Sequence, residues 1–108
     1  LGWGAGSGEA SSPLKALLHT YDKSKGLGAA NRGRHTDAEV DTIIQKALAT
    51  VDSDARGKLL AAATEKAVGE NYGVIPLHYQ VNTWAAKAGY KYLPRTDERT
   101  IVMGLSAN

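Results

Sequence analysis

Thr36-Asp37-Ala38-Glu39-Val40-Asp41-Thr42-Ile43-Ile44-Gln45-Lys46-Ala47-Leu48 is the stretch on which the fold of this chain turns. Its first four residues have the form of a capping box, in which Thr36 and Glu39 satisfy each other's orphan backbone N–H groups. Val40, Ile43, Ile44, Ala47 and Leu48 then recur at the three- and four-residue spacings of one helix face. The stretch predicts an amphipathic helix with a defined start. A short link follows. In it Asp52 is placed to cap a further helix, with Asp54 in the first turn, where an acid complements the positive end of the helix dipole. Leu60, Ala63, Ala67 and Val68 keep helical spacing up to about Tyr72. So short a link predicts an antiparallel pair, and the alanines would let the two helices pack closely.

Toward the N-terminus, Ser12 is a candidate cap and Pro13 suits the first position of a helix. Leu14, Leu17, Leu18 and Tyr21 supply one apolar face. Gly26 and Gly28 end this helix, and a polar loop runs to His35. Before it, residues 1–8 read as a strand end dissolving into a Gly- and Ser-rich loop.

Gly73 marks a change of period. Ile75, Leu77, Tyr79 and Val81 alternate with Pro76, His78, Gln80 and Asn82, the two-residue repeat of a strand with one apolar face. Pro76 lacks an N–H and belongs near the start of that strand or on an edge. Residues 90–92 and 100–105 are further short strand candidates, separated by a turn at residues 94–99. The expectation is an α+β (α/β) chain of about three helices followed by short β-strands, without internal repeats.

Composition narrows the function classes. Hydrophobic residues make up 43% of the 108-residue chain and charged residues 22%, enough for a packed core and unlike a disordered segment. Phe is absent, so Tyr, Trp, Leu, Ala and Val must fill that core. The formal charge is +2, and the densest basic run, Asn31-Arg32-Gly33-Arg34-His35, holds two arginines. Such scatter argues against nucleic-acid binding, which gathers basic residues on one face. There is no Cys, which removes disulfides, thiolate metal sites and cysteine nucleophiles. No run approaches the roughly 18 apolar residues that read as a membrane span, and no signal peptide is visible.

No constellation of catalytic or metal-binding residues emerges. His19, His35 and His78 are too far apart in sequence for a recognisable ligand pattern. Glu9, Asp37, Glu39, Asp41, Asp52 and Asp54 are numerous, but four of them stand at or beside predicted helix starts, where capping explains them. No Gly-x-Ser-x-Gly elbow occurs. Gly2-Trp3-Gly4-Ala5-Gly6-Ser7-Gly8 lacks the third glycine of a dinucleotide loop, since residue 9 is Glu, and lacks a Gly-Lys-Ser/Thr ending. What remains there is a Trp beside open backbone, suited to ligand contact or to plugging a core. The expectation is a protein that is not an enzyme and carries neither cofactor nor metal.

The order of features along the chain adds a more specific expectation. Gly2-Trp3-Gly4-Ala5, Ser11-Ser12-Pro13-Leu14, Asn31, Glu39-Val40-Asp41, Ala47-Leu48-Ala49-Thr50-Val51-Asp52, Arg56, Glu65, Val74-Ile75-Pro76-Leu77-His78-Tyr79, Trp84-Ala85 and Gly89-Tyr90 span nearly the whole chain. Taken in order, they resemble the C-terminal part of the family 5 extracellular solute-binding proteins. These are the dipeptide, oligopeptide and nickel receptors of ABC importers.

The resemblance implies a fragment of a two-lobed periplasmic-binding-protein fold, closing on its ligand like a hinged clamp. Residues 1–72 would supply a strand and helices of one lobe. Residues 73–108 would hold the crossover, near Ile75-Pro76, and the β-segments returning to the other lobe. The implied function is extracytoplasmic binding of a peptide or other small solute for uptake. The implied partners are the ligand and the permease subunits in the membrane, and the implied place is the periplasm or another extracytoplasmic face.

Trp3 would wall the ligand, with Ala5, Gly6 and Ser7 allowing close backbone approach. In peptide-binding members an Asp three residues after this Trp pairs with the peptide's α-ammonium group. Here that position is Gly6, and Glu9 is the nearest acid. Another departure is His35, where many relatives carry Tyr. A chain parted from its lobes is expected to find substitute contacts through dimerisation or strand exchange. The competing expectation is a small helical interaction domain without a ligand pocket, self-associating through its Ala-rich helices and the strand near Ile75.

Overall fold

Asp37, and not Thr36, caps the central helix. In the computed structural model, which describes residues 2–107, Asp37 has extended backbone angles and its Oδ1 accepts from the N–H groups of Glu39 and Val40. The expected box is corrected by one residue. A carboxylate accepts backbone N–H groups at least as well as a hydroxyl, and the Thr36 hydroxyl is instead 2.9 Å from that of Thr20. Helix α2 then runs Ala38–Ala49. Asp52 caps the next helix, α3 (Ser53–Thr64), by accepting from Ala55 N–H, and Glu65–Glu70 extends it as a π-helical turn.

The two helices run antiparallel, because the end of the second meets the start of the first. Asn71 Nδ2 donates to Asp37 Oδ2 at 2.6 Å, and Lys66 Nζ lies 2.9 Å from Glu39 Oε2. Between them lies the core: Val40, Ile44 and Ala47 of α2 against Leu60, Ala63 and Ala67, all buried. Ala47, Ala63 and Ala67 are fully covered and let the helices pack closely, whereas Ala38, Ala49, Ala55, Ala61 and Ala62 are exposed. Leu48, at the margin of the predicted stripe, is 37% exposed.

Leu14 and Leu18 close the core from the first helix, α1, an α-helical turn at Ser11–Pro13 that continues as a π-helical turn at Leu14–Leu18. The sequence placed this helix differently at both ends. It starts at Ser11, with Ala10 in the cap position and no side-chain cap, so Ser12 lies inside it. It stops at Leu18, and Tyr21 is 47% exposed.

The early stop has a local cause. The loop at residues 28–35 takes the carbonyls that a longer helix would use. Gly28 N–H donates to Lys15 O and Ala30 N–H to Ala16 O, both at 2.9 Å. His35 Nδ1 is bonded to Leu18 O at 2.7 Å, and Asn31 Nδ2 donates to His19 O at 3.0 Å. The approach is close enough to require glycine. Gly28 has φ +61, and a Cβ there would lie 2.4 Å from His19 O, a backbone atom that cannot swing aside.

The chain divides into two compact units, Leu1–Pro76 and Leu77–Asn108. The helices form the first. In the second, β1 (Tyr90–Tyr92) pairs antiparallel with β2 (Leu105–Ala107), Lys91 opposite Ser106, after a 3-10 turn at Val102–Gly104. Tyr92 organises the intervening loop, its hydroxyl donating to Arg99 O and accepting from Ile101 N–H, each at 3.1 Å. Trp84 packs tilted on its ring, the centroids 5.8 Å apart. The Arg95 guanidinium, paired with Asp97, holds that carboxyl down to about 2.

Three helices and one small two-stranded sheet make a mixed α+β chain. Two expected strands are absent among the described residues. Residues 2–8 hold a turn, closed by Gly8 N–H donating to Ala5 O at 2.9 Å; Leu1, part of that expectation, lies outside the described residues. Residues 75–81 form no ladder, because the alternating pattern has no second strand beside it. The strand expected at residues 100–105 is a 3-10 turn over Val102–Gly104, with pairing beginning only at Leu105.

Candidate functional site

Trp3, Ala5, Gly6 and Ser7 share one short N-terminal loop. Trp3 is 46% exposed, Ala5 is half-buried, and Gly6 and Ser7 are exposed. A Cβ added at Gly2, Gly4, Gly6 or Gly8 would meet nothing within 4 Å. The loop therefore presents accessible backbone and one face of an indole. Trp3 does not plug the core.

Its far end is fastened by charge. Glu9 forms a two-pronged pair with Arg56 of α3: Arg56 Nη2 donates to Oε2 at 2.9 Å, and Nε donates to Oε1. Two-point guanidinium–carboxylate contacts fix geometry as well as charge. The Ser11 hydroxyl donates to Oε2 at 2.7 Å. Hydrogen bonds from Arg56 and then Ser11 hold the Glu9 carboxyl below the usual carboxylate range, and the same pairing raises Arg56. Glu9 is thus an anion with its partners already in place. It is not a free carboxylate waiting for a ligand's ammonium group, and Gly6 offers none.

A second polar cluster lies where α1 ends. His19 is buried, and Gln45 Nε2 lies 3.0 Å from its Nε2 while Nδ1 lies 2.8 Å from Thr20 O. The arrangement is satisfied when Gln45 donates to Nε2 and Nδ1 carries the proton donated to Thr20 O. Asp41 Oδ1 accepts from Thr20 N–H at 2.8 Å and stands 3.4 Å from His19 Nδ1. Asp41 and Gln45 reach one histidine because they are four apart on α2. An open cleft of about 490 Å³ adjoins them, lined also by Tyr21, Asp22 and Leu27.

Asn31 ties this region together. It is buried, its Nδ2 donates to His19 O and to His35 O, and its Oδ1 accepts from His35 N–H at 2.9 Å. His35 binds Leu18 O through Nδ1, which leaves Nε2 buried without a partner. Every polar contact in the cluster is directed at backbone or at a neighbouring side chain. Its work is to hold the 28–35 loop on α1.

The three histidines do not converge: His19 and His35 serve this loop, and His78 is exposed in the second unit. No group of three His, Asp or Glu side chains able to hold a metal occurs among the described residues. Asp52 caps α3 as its position in sequence implied, and Asp37 caps α2 in place of Thr36. The sequence reading missed the role of Asn31, although the residue was singled out. A polar residue in a Gly- and Arg-rich loop carries no sign that it will be buried. No protein-family model, curated protein or solved structure matches the chain.

Proposed function

We propose that the chain is the C-terminal part of an extracytoplasmic solute receptor of the family 5 type, delivering a small solute to the permease of an ABC importer. The ordered motif set from Gly2-Trp3-Gly4-Ala5 to Gly89-Tyr90 supports this reading. The observation that carries it is the segment Ile75–Val81. Ile75, Leu77, Tyr79 and Val81 expose 76%, 85%, 98% and 82% of their surface, yet they alternate as the apolar face of a strand does. Soluble chains seldom leave such a row uncovered without a use for it. A strand returning to a second lobe would be left in this state when that lobe is not beside it.

In this reading no bond is made or broken. Trp3 stacks on or walls the solute, and the Ala5-Gly6-Ser7 backbone approaches it closely. Fastening of the loop to α3 through Glu9 and Arg56 would let the Trp3 wall move with the helical unit when the receptor closes. Because Gly6 lacks a carboxylate and Glu9 is committed to Arg56, the solute is a peptide held differently from the usual α-ammonium anchor, or another small molecule. Most remaining contacts come from the other lobe.

The expected result follows from that division. In the complete receptor, a cognate solute changes the emission of Trp3. In calorimetric titrations of the 108-residue chain alone, di- and tripeptides and other small solutes bind weakly or not at all. Tight binding by the isolated chain, with a Kd below about 1 µM, would contradict the reading.

A further inference from the structure

Arg56 is a cation at the end of a helix that disfavours one. It closes the first turn of α3, its N–H donating to Asp52 O at 3.0 Å, and the positive end of the helix dipole gains nothing from a positive charge there. Its side chain serves another purpose. Nη2 donates to Glu9 Oε2 at 2.9 Å, Nε donates to Glu9 Oε1, and Nη1 reaches Thr50 O at 3.4 Å. The Ser11 hydroxyl completes the set by donating to Glu9 Oε2 at 2.7 Å.

We infer that Arg56 is the positioning residue of the Trp3 loop, holding residues 2–8 in place on α3 through Glu9. Its consequence for solute affinity rests on the receptor reading; its hold on the loop does not. The pair lies wholly within the helical unit.

Two observations carry the inference. The first is how little else holds the loop. Among the described residues, the backbone of residues 2–8 makes one hydrogen bond, and it is internal, from Gly8 N–H to Ala5 O. A Cβ at Gly2, Gly4, Gly6 or Gly8 would meet nothing within 4 Å, so little packs around this backbone. The place of the loop is then set where the chain leaves it, at Glu9.

The second is the exposure of the pair. The Arg56 and Glu9 side chains keep 26% and 33% of their surface. A pair so open to water adds little to the stability of a whole domain, whereas a two-point guanidinium–carboxylate contact fixes geometry. Its effect is therefore local, on the order of the loop and not on the helices. A loop ordered in advance spares a ligand the cost of ordering it.

Nitrogen-15 relaxation of the 108-residue chain reads the loop residue by residue. The amides of residues 4–9 should have order parameters close to those of the helices, about 0.8, and should fall below about 0.6 in Arg56→Gln. Glu9→Gln should loosen the same amides. The double variant should loosen them no further than either single one, because all three break one pair. Urea unfolding followed by circular dichroism should give nearly the parent midpoint in every variant, which separates positioning from a general loss of fold. Lys66→Met, which removes the pair with Glu39 at the other end of the helices, should leave the loop unmoved. In the complete receptor, titrated with a panel of di- and tripeptides, Arg56→Gln should raise the Kd about tenfold.

Loop amides that keep their order in Arg56→Gln, or that are already mobile in the parent chain, would overturn the inference. So would additive effects of the two single substitutions, or a loosened loop with peptide affinity unchanged. A parent receptor that binds no solute would count against the receptor reading alone. Loosening of the loop by Arg56→Gln would still uphold the positioning role.

Discussion

Replacing Asn31 with Leu is expected to destabilise the helical unit by on the order of 3–5 kcal/mol. The side chain is buried and makes three hydrogen bonds, to His19 O, to His35 O and from His35 N–H. Leucine fills a similar volume but leaves all three backbone groups without that partner. Each such buried group costs about 1–3 kcal/mol when stranded, and part of the sum is recovered as the loop loosens and water enters. A domain of ordinary stability has only about 5–15 kcal/mol in total, so much of the variant would be unfolded at moderate urea. Asn31→Asp tests the same bonds from another side. It keeps the acceptor for His35 N–H but turns a donor into an oxygen facing two carbonyls, and it should also destabilise. Urea unfolding followed by far-UV circular dichroism reads both, because all three helices lie in this unit. A loss below about 1 kcal/mol, the worth of one ordinary hydrogen bond, would mean that the 28–35 loop is held by something else.

Ile44→Ala is expected to cost about 2–5 kcal/mol. Ile44 is fully buried and belongs to the cluster formed by Leu14, Leu18, Val40, Ala47, Leu60, Ala63 and Ala67. Several of those neighbours are alanines with no side chain able to move into the vacated space, which favours the upper part of the range. Leu48→Ala is the matched control. Leu48 belongs to the same predicted stripe but is 37% exposed, and its truncation should cost on the order of 1 kcal/mol, well below the loss at Ile44. Similar losses at the two positions would contradict the packing of α2 against α3.

These two residues mark what could be read in advance and what could not. Ile44 was legible because helix periodicity is a repeated signal and Asp52 marks where the next helix begins. The start of α2 was legible to within one residue, since Thr36 and Asp37 are both good caps and only tertiary contacts decide between them: Thr20 engages one, Asn71 the other. The end of α1 was not legible. Leu14, Leu17, Leu18 and Tyr21 keep helical spacing, but the helix stops because Gly28, Ala30, Asn31 and His35 bind its last carbonyls from a distant part of the chain. The strand pattern at residues 75–81 is plainly written, yet a strand needs a neighbour to pair with. For the candidate site, the sequence singled out the Trp3 loop and has glycine, not an acid, at position 6. It gave no sign that Glu9, the only nearby replacement, is bound to a residue 47 positions away.

The central claim, that this chain is the C-terminal part of a two-lobed solute receptor, is tested most directly by sequencing the reading frame upstream of the Leu1 codon. The frame should continue for several hundred codons, enough for the rest of both lobes, and begin with an export signal. A start codon close to Leu1, or a frame too short to hold the other lobe, would contradict it.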